Sequence, residues 1–194
     1  TGGEATDLMA GERFDTPVKP FGGGEQIAWS ADGKELCYTA KKVAGTAWVS
    51  STNNDLYVVP VGGGEAENIT EGRPGYDQEP SYSADGKYIA FLSMVRPGFE
   101  ADRNRLMLYD RTSKEVRELT VGFDQSAHGG AWAPDSKRLF FDSDVAGTTQ
   151  VYDIGIGGGK PRLLSRGRHQ LRGAVPGPSG HWIVCVRQQT ERPY

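Results

Sequence analysis

The chain has 194 residues, of which 24% are charged and 37% apolar, with 27 glycines and a formal net charge of −3. That composition belongs to a globular protein rather than a disordered one, and its interspersed charges lack the footprint of a nucleic-acid binder. No apolar run approaches the roughly 20 residues that span a membrane.

In chain order, GGEATDLMAG (2–11) matches GGEAENITEG (63–72), which reads as the last turn and outer strand of a repeated unit. An outer strand is therefore expected over residues 1–11. WSADGKELCYTA (29–40), YSADGKYIAFLS (82–93), WAPDSKRLFFDS (132–143) and PGPSGHWIVCVR (176–187) align without gaps. Each predicts a hairpin, with an Asp-Gly or Asp-Ser turn followed by β-branched and aromatic residues. A second hairpin follows the first three, in DLYVVPVGGGEAENIT, RLMLYDRTSKEVRELT and QVYDIGIGGGKPRLLS. The turn positions Asp32, Asp85, Asp135 and Ser179 lie 53, 50 and 44 residues apart, close to the period of a propeller blade. An all-β propeller of four-stranded, TolB- or WD40-like blades is expected. Blades are placed at 21–72, 73–122 and 123–167, with a further one beginning at 168–194. The second strands, such as YIAFL, lack polar alternation and are expected to be buried on both faces. Starting and finishing in mid-blade, the sequence reads either as a small ring closed by a composite blade or, in preference, as part of a larger propeller whose open faces would self-associate.

Most of the usual chemical motifs are missing. The runs GGGE and GGGK lack the spacing and helix of a phosphate loop, and no GxSxG elbow occurs. His128, His169 and His181 are scattered without metal-ligand spacing, so neither metal nor cofactor is expected. Cys37 and Cys185 sit in apolar runs as small hydrophobes. The basic run 162–173 reads as a solvated loop.

The long loops remain. In a four-stranded blade the connection between strands two and three shares a face with the connection to the next blade. That face would hold SMVRPGFEADRNR (93–105), KKVAGTAWVSSTNND (41–55), EGRPGYDQEP (71–80) and VGFDQSAHGG (121–130). Tyr76, Asp77, Phe99, Glu100, Asp102, Phe123 and Asp124 gather there, as solvated insertions or as recognition elements.

DGKYIAFLSMVRPGFEADRNRLMLYD resembles the propeller of bacterial dipeptidyl peptidases of the prolyl oligopeptidase family, in the dipeptidyl-peptidase 5 and acylaminoacyl-peptidase-like branch. The matching residues are Met94, Arg96, Gly98, Phe99, Glu100, Asp102 and Arg103. STNNDLYVV and ITEGRPGYDQEPSYSADGK resemble the same branch, so the likeness covers most of the chain. It implies a non-catalytic propeller that gates and positions short peptides for a C-terminal α/β-hydrolase domain bearing Ser, Asp and His, in a periplasmic or secreted serine peptidase. That hydrolase domain is not in these residues, so no catalytic residue is assigned. The resemblance further implies that acidic propeller residues hold the free amino end of the peptide. Glu100, Asp102, Arg103 and Phe99 are the candidates, Glu100 foremost, because Asp102 could instead pair with Arg103 or Arg105 and brace the loop. The alternative is a TolB-like interaction propeller without an enzymatic domain.

Overall fold

The structure, a computed structural model, describes residues 4–189. The first blade is an antiparallel sheet of β1 (Ile27–Trp29), β2 (Glu35–Ala40), β3 (Asp55–Pro60) and β4 (Glu67–Asn68), in that order. The second repeats it with β5 (Asp77–Tyr82), β6 (Tyr88–Ser93), β7 (Arg105–Asp110) and β8 (Val116–Glu118). In the third, β9 (Ala127–Trp132), β10 (Arg138–Val145) and β11 (Thr148–Gly155) pair in order and β12 (Arg162–Leu163) lies along β11. A final hairpin, β13 (Gln170–Pro176) and β14 (Ile183–Gln188), joins β11 through the parallel bridge Thr149–Gln170. Corresponding stitches link the earlier blades. Asn54 bridges Tyr76, and the Asn104 carbonyl accepts from the Ala127 amide at 2.9 Å.

The first turns show why the sequence repeats. Ser30 and Ser83 donate to Asp32 and Asp85 at 2.8 and 2.7 Å, and each aspartate accepts from the amide two residues on. The next residue must turn left-handed, with φ of +69° at Gly33 and Gly86 and +58° at Ser136, which does so without being glycine.

Successive side chains of a strand point to opposite faces, and β6 uses both. Ile89 and Phe91 join Cys37, Leu56 and Met107 in the core between blades one and two. Ala90 and Leu92 join Leu139, Phe141 and Tyr152 between blades two and three. Leu139 and Phe141 face blade two from β10, while Phe140 turns to Leu171 and Ala174 of β13. Burial on both faces, expected from the sequence, follows from stacking.

Two features depart from the reading of the sequence. No strand forms over residues 4–11; residues 1–3 of that expected strand lie outside the described residues. A strand exists only by pairing, and here Leu8 and Met9 instead pack on Tyr38, Ala40, Tyr57 and Val59, the outer face of blade one. The loop after β2 also holds a short helix, α1 (Ala47–Ser50), which no pattern in the sequence announced.

Candidate functional site

Several connections converge on one face and are tied together there. The Gly98 amide, in the 94–104 insertion, donates to Thr52 Oγ1 of the 41–54 loop at 2.9 Å. The Met94 amide donates to the Tyr76 carbonyl at 3.1 Å. Gly75 is so close to this crossing that a Cβ there would lie 1.7 Å from the Met94 oxygen. Lys41 Nζ donates to the Trp48 carbonyl at 2.7 Å and sits 5.0 Å from the Trp48 ring centre, pinning α1 to the end of β2.

These loops, with residues 18–26 before β1, enclose a cavity of about 630 Å³. Its walls include Glu25, Asn54, Tyr76, Glu79 and Glu100, and its rim carries the exposed Phe21, Trp48 and Val49. Tyr76 accepts from Gln26 Nε2 at 3.3 Å. Burial raises the Tyr76 hydroxyl above its ordinary pKa, the Gln26 side chain opposes the rise, and the negative charges of Glu79, Glu25 and Glu100 add to it. Burial also raises Glu79, with Glu25 the next cause. Under the cavity wall Asp77 is fully buried with Arg73 Nε at 3.4 Å. Burial pushes its carboxyl up to about 6, opposed by the Ser93 hydroxyl and the Arg73 charge.

The four residues singled out from the sequence separate. Glu100 lines the cavity. Asp102 accepts from the backbone amides of Val95, Arg96 and Arg103 at 3.0, 2.9 and 3.0 Å and from the Arg96 guanidinium at 2.9 Å. Arg96 foremost holds its carboxyl well below the usual range. Asp102 therefore braces the loop, through Arg96 rather than through the guanidinium of Arg103 or Arg105. Those two arginines reach Glu118 at 3.3 and 3.7 Å, and Arg103 also donates to the Phe123 carbonyl. Phe99 lies beneath the Arg96 guanidinium, 4.1 Å from its ring centre. Phe123 packs edge-on against Phe141 and Tyr152 in the blade core.

Sequence reasoning missed Glu79, Glu25 and Asn54. For Glu79 a signal was present. It stands six residues before the turn residue Asp85, and the same offset gives Gly129 and Gly173 in the following units. All three adopt positive φ, at +53°, +66° and +65°, in first strands whose ladders are interrupted there. A glutamate thus occupies a left-handed position that its counterparts give to glycine. Among the described residues, no group of three or more His, Cys, Asp or Glu is placed to hold a metal. No helix there is long and apolar enough to cross a membrane.

Blades of this geometry are found in TolB from Acinetobacter baumannii, which superposes with a TM-score of 0.61 at 23% identity over 86% of this chain and 38% of that one. The fold is that of a TolB-like β-propeller, present here in part. No protein-family model matches the chain, but whole-sequence similarity is more specific. The chain is 38% identical over 163 residues to dipeptidyl-peptidase 5 of Porphyromonas gingivalis, matching 84% of this chain and 24% of that protein. It is 36% identical over 190 residues to dipeptidyl-peptidase 5 of Porphyromonas endodontalis, matching 98% of this chain and 27% of that protein. The chain is a homologue of the dipeptidyl-peptidase 5 proteins and spans about a quarter of their length, which bears out the resemblance carried by the insertion.

Proposed function

We propose that this chain is the propeller part of a serine exopeptidase of the dipeptidyl-peptidase 5 type, acting in the periplasm or after secretion. In this reading it restricts access to an α/β-hydrolase domain of the same parent protein and receives the free amino end of a short peptide in the acidic cavity beside Glu100. The observation that carries the reading is the cavity itself. Lys19 and Lys41 share the cavity wall but are turned to Asp15 and to the Trp48 carbonyl, and no cation is paired within 4.0 Å with Glu25, Glu79 or Glu100 among the described residues. A partly desolvated carboxylate holds an ammonium by charge-assisted hydrogen bonds, stronger and more directional than neutral ones.

The test is titration of the chain with alanyl-alanine amide and with its N-acetyl derivative, followed by amide chemical shifts. The free amine is expected to bind at least tenfold more tightly and to shift signals around Tyr76 and the 94–104 loop. Equal affinity for both would remove the amino-end role. A second reading, an interaction propeller without a catalytic domain, rests on the TolB likeness and on the exposed Phe21 and Val49 at the cavity rim. The parent gene separates the two: about 250 further residues with a GxSxG elbow favour the peptidase, and a stop codon soon after Tyr194 favours the interaction module.

A further inference from the structure

Where blades one and two meet, beside the Asn54–Tyr76 bridge, the cavity is lined by glutamates. Where blade three meets the last hairpin, beside the corresponding Thr149–Gln170 bridge, a second cavity of about 660 Å³ carries the opposite charge. We infer that this second cavity binds a carboxylate carried by a short peptide, at its C-terminus or on an acidic side chain, with Arg168 and Arg172 as the cationic contacts. The charge of the ligand follows from the cavity alone, whereas its being a peptide rests on the peptidase reading.

The first support is electrostatic. The basic run 162–173 places Arg168, His169 and Arg172 in the wall, and no aspartate or glutamate is among the described residues that line it. Arg168 is exposed and has no carboxylate within 4.0 Å among the described residues. Arg172 reaches one, Asp144 at 3.8 Å, in a pair more than half exposed on both sides. Asp144 also bonds the Thr149 hydroxyl at 2.7 Å and stands 3.4 Å from His128 Nε2. So open a pair contributes little and leaves the Arg172 guanidinium donors for a second acid.

The second is the framework behind the loop. Gln150 is buried, and its amide nitrogen donates to the Gly167 carbonyl and to Thr148 Oγ1, both at 2.9 Å, while its oxygen accepts from the Ser165 hydroxyl at 2.7 Å. Ser165 in turn accepts from the Val151 amide at 2.9 Å. The His169 ring lies against Gly167, where a Cβ would come within 2.7 Å of it. The loop that presents Arg168 is therefore shaped before a ligand arrives, which lowers the ordering cost of binding.

The third is size and geometry. The volume falls in the range of about 300–1,000 Å³ typical of small organic ligands, more than a bare inorganic ion would fill. A guanidinium offers N–H donors in a fixed fork that matches the two oxygens of a carboxylate, so two of them select the ionised acid over its neutral amide.

The test uses N-acetylated ligands throughout, so that recognition of a free amino end is not engaged. Amide chemical shifts are followed at neutral pH while the chain is titrated with N-acetyl-alanyl-alanine, N-acetyl-glutamyl-alanine amide, N-acetyl-alanyl-alanine amide and inorganic phosphate. One of the two acids is expected to bind at least tenfold more tightly than the neutral amide and than phosphate, moving the signals of Gly147, Gly167 and Gln170. Which acid does so identifies the source of the carboxylate. Arg168→Gln is expected to bring that acid down to the level of the amide with the melting temperature unchanged, since Arg168 is exposed and pairs with no carboxylate. Arg168→Lys keeps the charge without the fork and is expected to fall between, while Glu100→Gln in the acidic cavity should change nothing. Equal affinity for the acids and the amide, acid binding that survives Arg168→Gln, or phosphate binding as tightly as the acids would each overturn the site and leave the amino-end reading untouched. A wild-type chain that prefers these acids but shows no preference for a free amine would retain this site and lose the amino-end reading.

Discussion

The backbone amide of Asp85, in the turn of blade two, donates to the hydroxyl of Ser136, in the turn of blade three, at 3.1 Å. Ser136 is thus more than a stand-in for the glycine of the other turns. It spends an unfavourable φ of +58° to fasten one blade to its neighbour. Replacing it by alanine keeps the strain and strands the amide, with an expected cost of about 1–2 kcal/mol in urea unfolding. Glycine removes the strain as well as the bond, so the two effects offset and Ser136→Gly should lie within about 1 kcal/mol of wild type. A Ser136→Ala chain as stable as wild type would show that the hydroxyl does not fasten the blades, and equal losses in the two variants would show that the left-handed turn carries no strain.

Asp77 makes stability depend on pH in a direction opposite to most carboxylates. Its folded pKa, about 6, exceeds that of an unfolded aspartate, so the folded chain binds the extra proton between about pH 4 and 6. The stability it contributes is full below the unfolded value and lost as pH rises through the folded one. Arg73 and Arg105 share its surroundings and oppose the shift, while the like charge of Asp55 adds to it. In Asp77→Asn this slope should vanish. Relative to the variant, wild type should lose up to roughly 3 kcal/mol between pH 4 and 7, as followed by denaturant unfolding. A constant difference across that range would contradict the burial-raised pKa.

Asp102 governs the insertion rather than the blade. Its hydrogen bonds close residues 95–103 on themselves and leave the strands untouched. Asp102→Asn is expected to leave the melting temperature within a degree or two, yet to speed tryptic cleavage after Arg103 about tenfold, as local opening becomes easier. Unaltered cleavage would mean that the Thr52–Gly98 bond alone holds the loop.

The last hairpin presents an apolar face. Ile183 and Cys185 pack inward, while Val184 and Val186 are 58% and 68% exposed, beside Trp182 at 53%. We propose that this face pairs with a second copy of the chain. Light scattering should show mass rising with concentration, and Val184→Lys with Val186→Glu should return it to that of a monomer. A wild-type chain that stays monomeric at all concentrations would refute the pairing.

Much of the fold was legible because turn chemistry repeats in register. Ser30-Asp32 and Ser83-Asp85 make the same hydrogen bonds, and the doubly buried strands follow from the apolar runs between them. The loop face was legible too, since blade connectivity alone brings 41–54 and 94–104 together. Its interior was not. Whether Glu100 or Asp102 faced the cavity depended on Arg96, six residues from Asp102, and no spacing rule distinguishes that arginine from Arg103. Asn54 looked like one more polar loop residue, because its burial in the cavity wall arises only once its backbone has paired with Gly75 and Asp77 of the next blade. Glu79 was visible in principle, as the one acidic residue in a column that otherwise reads Gln26, Gly129 and Gly173.

The alternation along β6 also bears on where this chain tolerates changes of length. Ile89 and Phe91 serve one neighbour, Ala90 and Leu92 the other, so one residue inserted among them would exchange the two sets and unseat both interfaces at once. The ends of the hairpins carry no such parity. Between β10 and β11 the chain reverses through Ala146 and Gly147, whereas between β6 and β7 it runs on through residues 94–104 and returns in register, Ser93 opposite Arg105. Added length has entered where no side chain must choose between neighbours, which is how one blade came to carry a charged insertion that the next lacks.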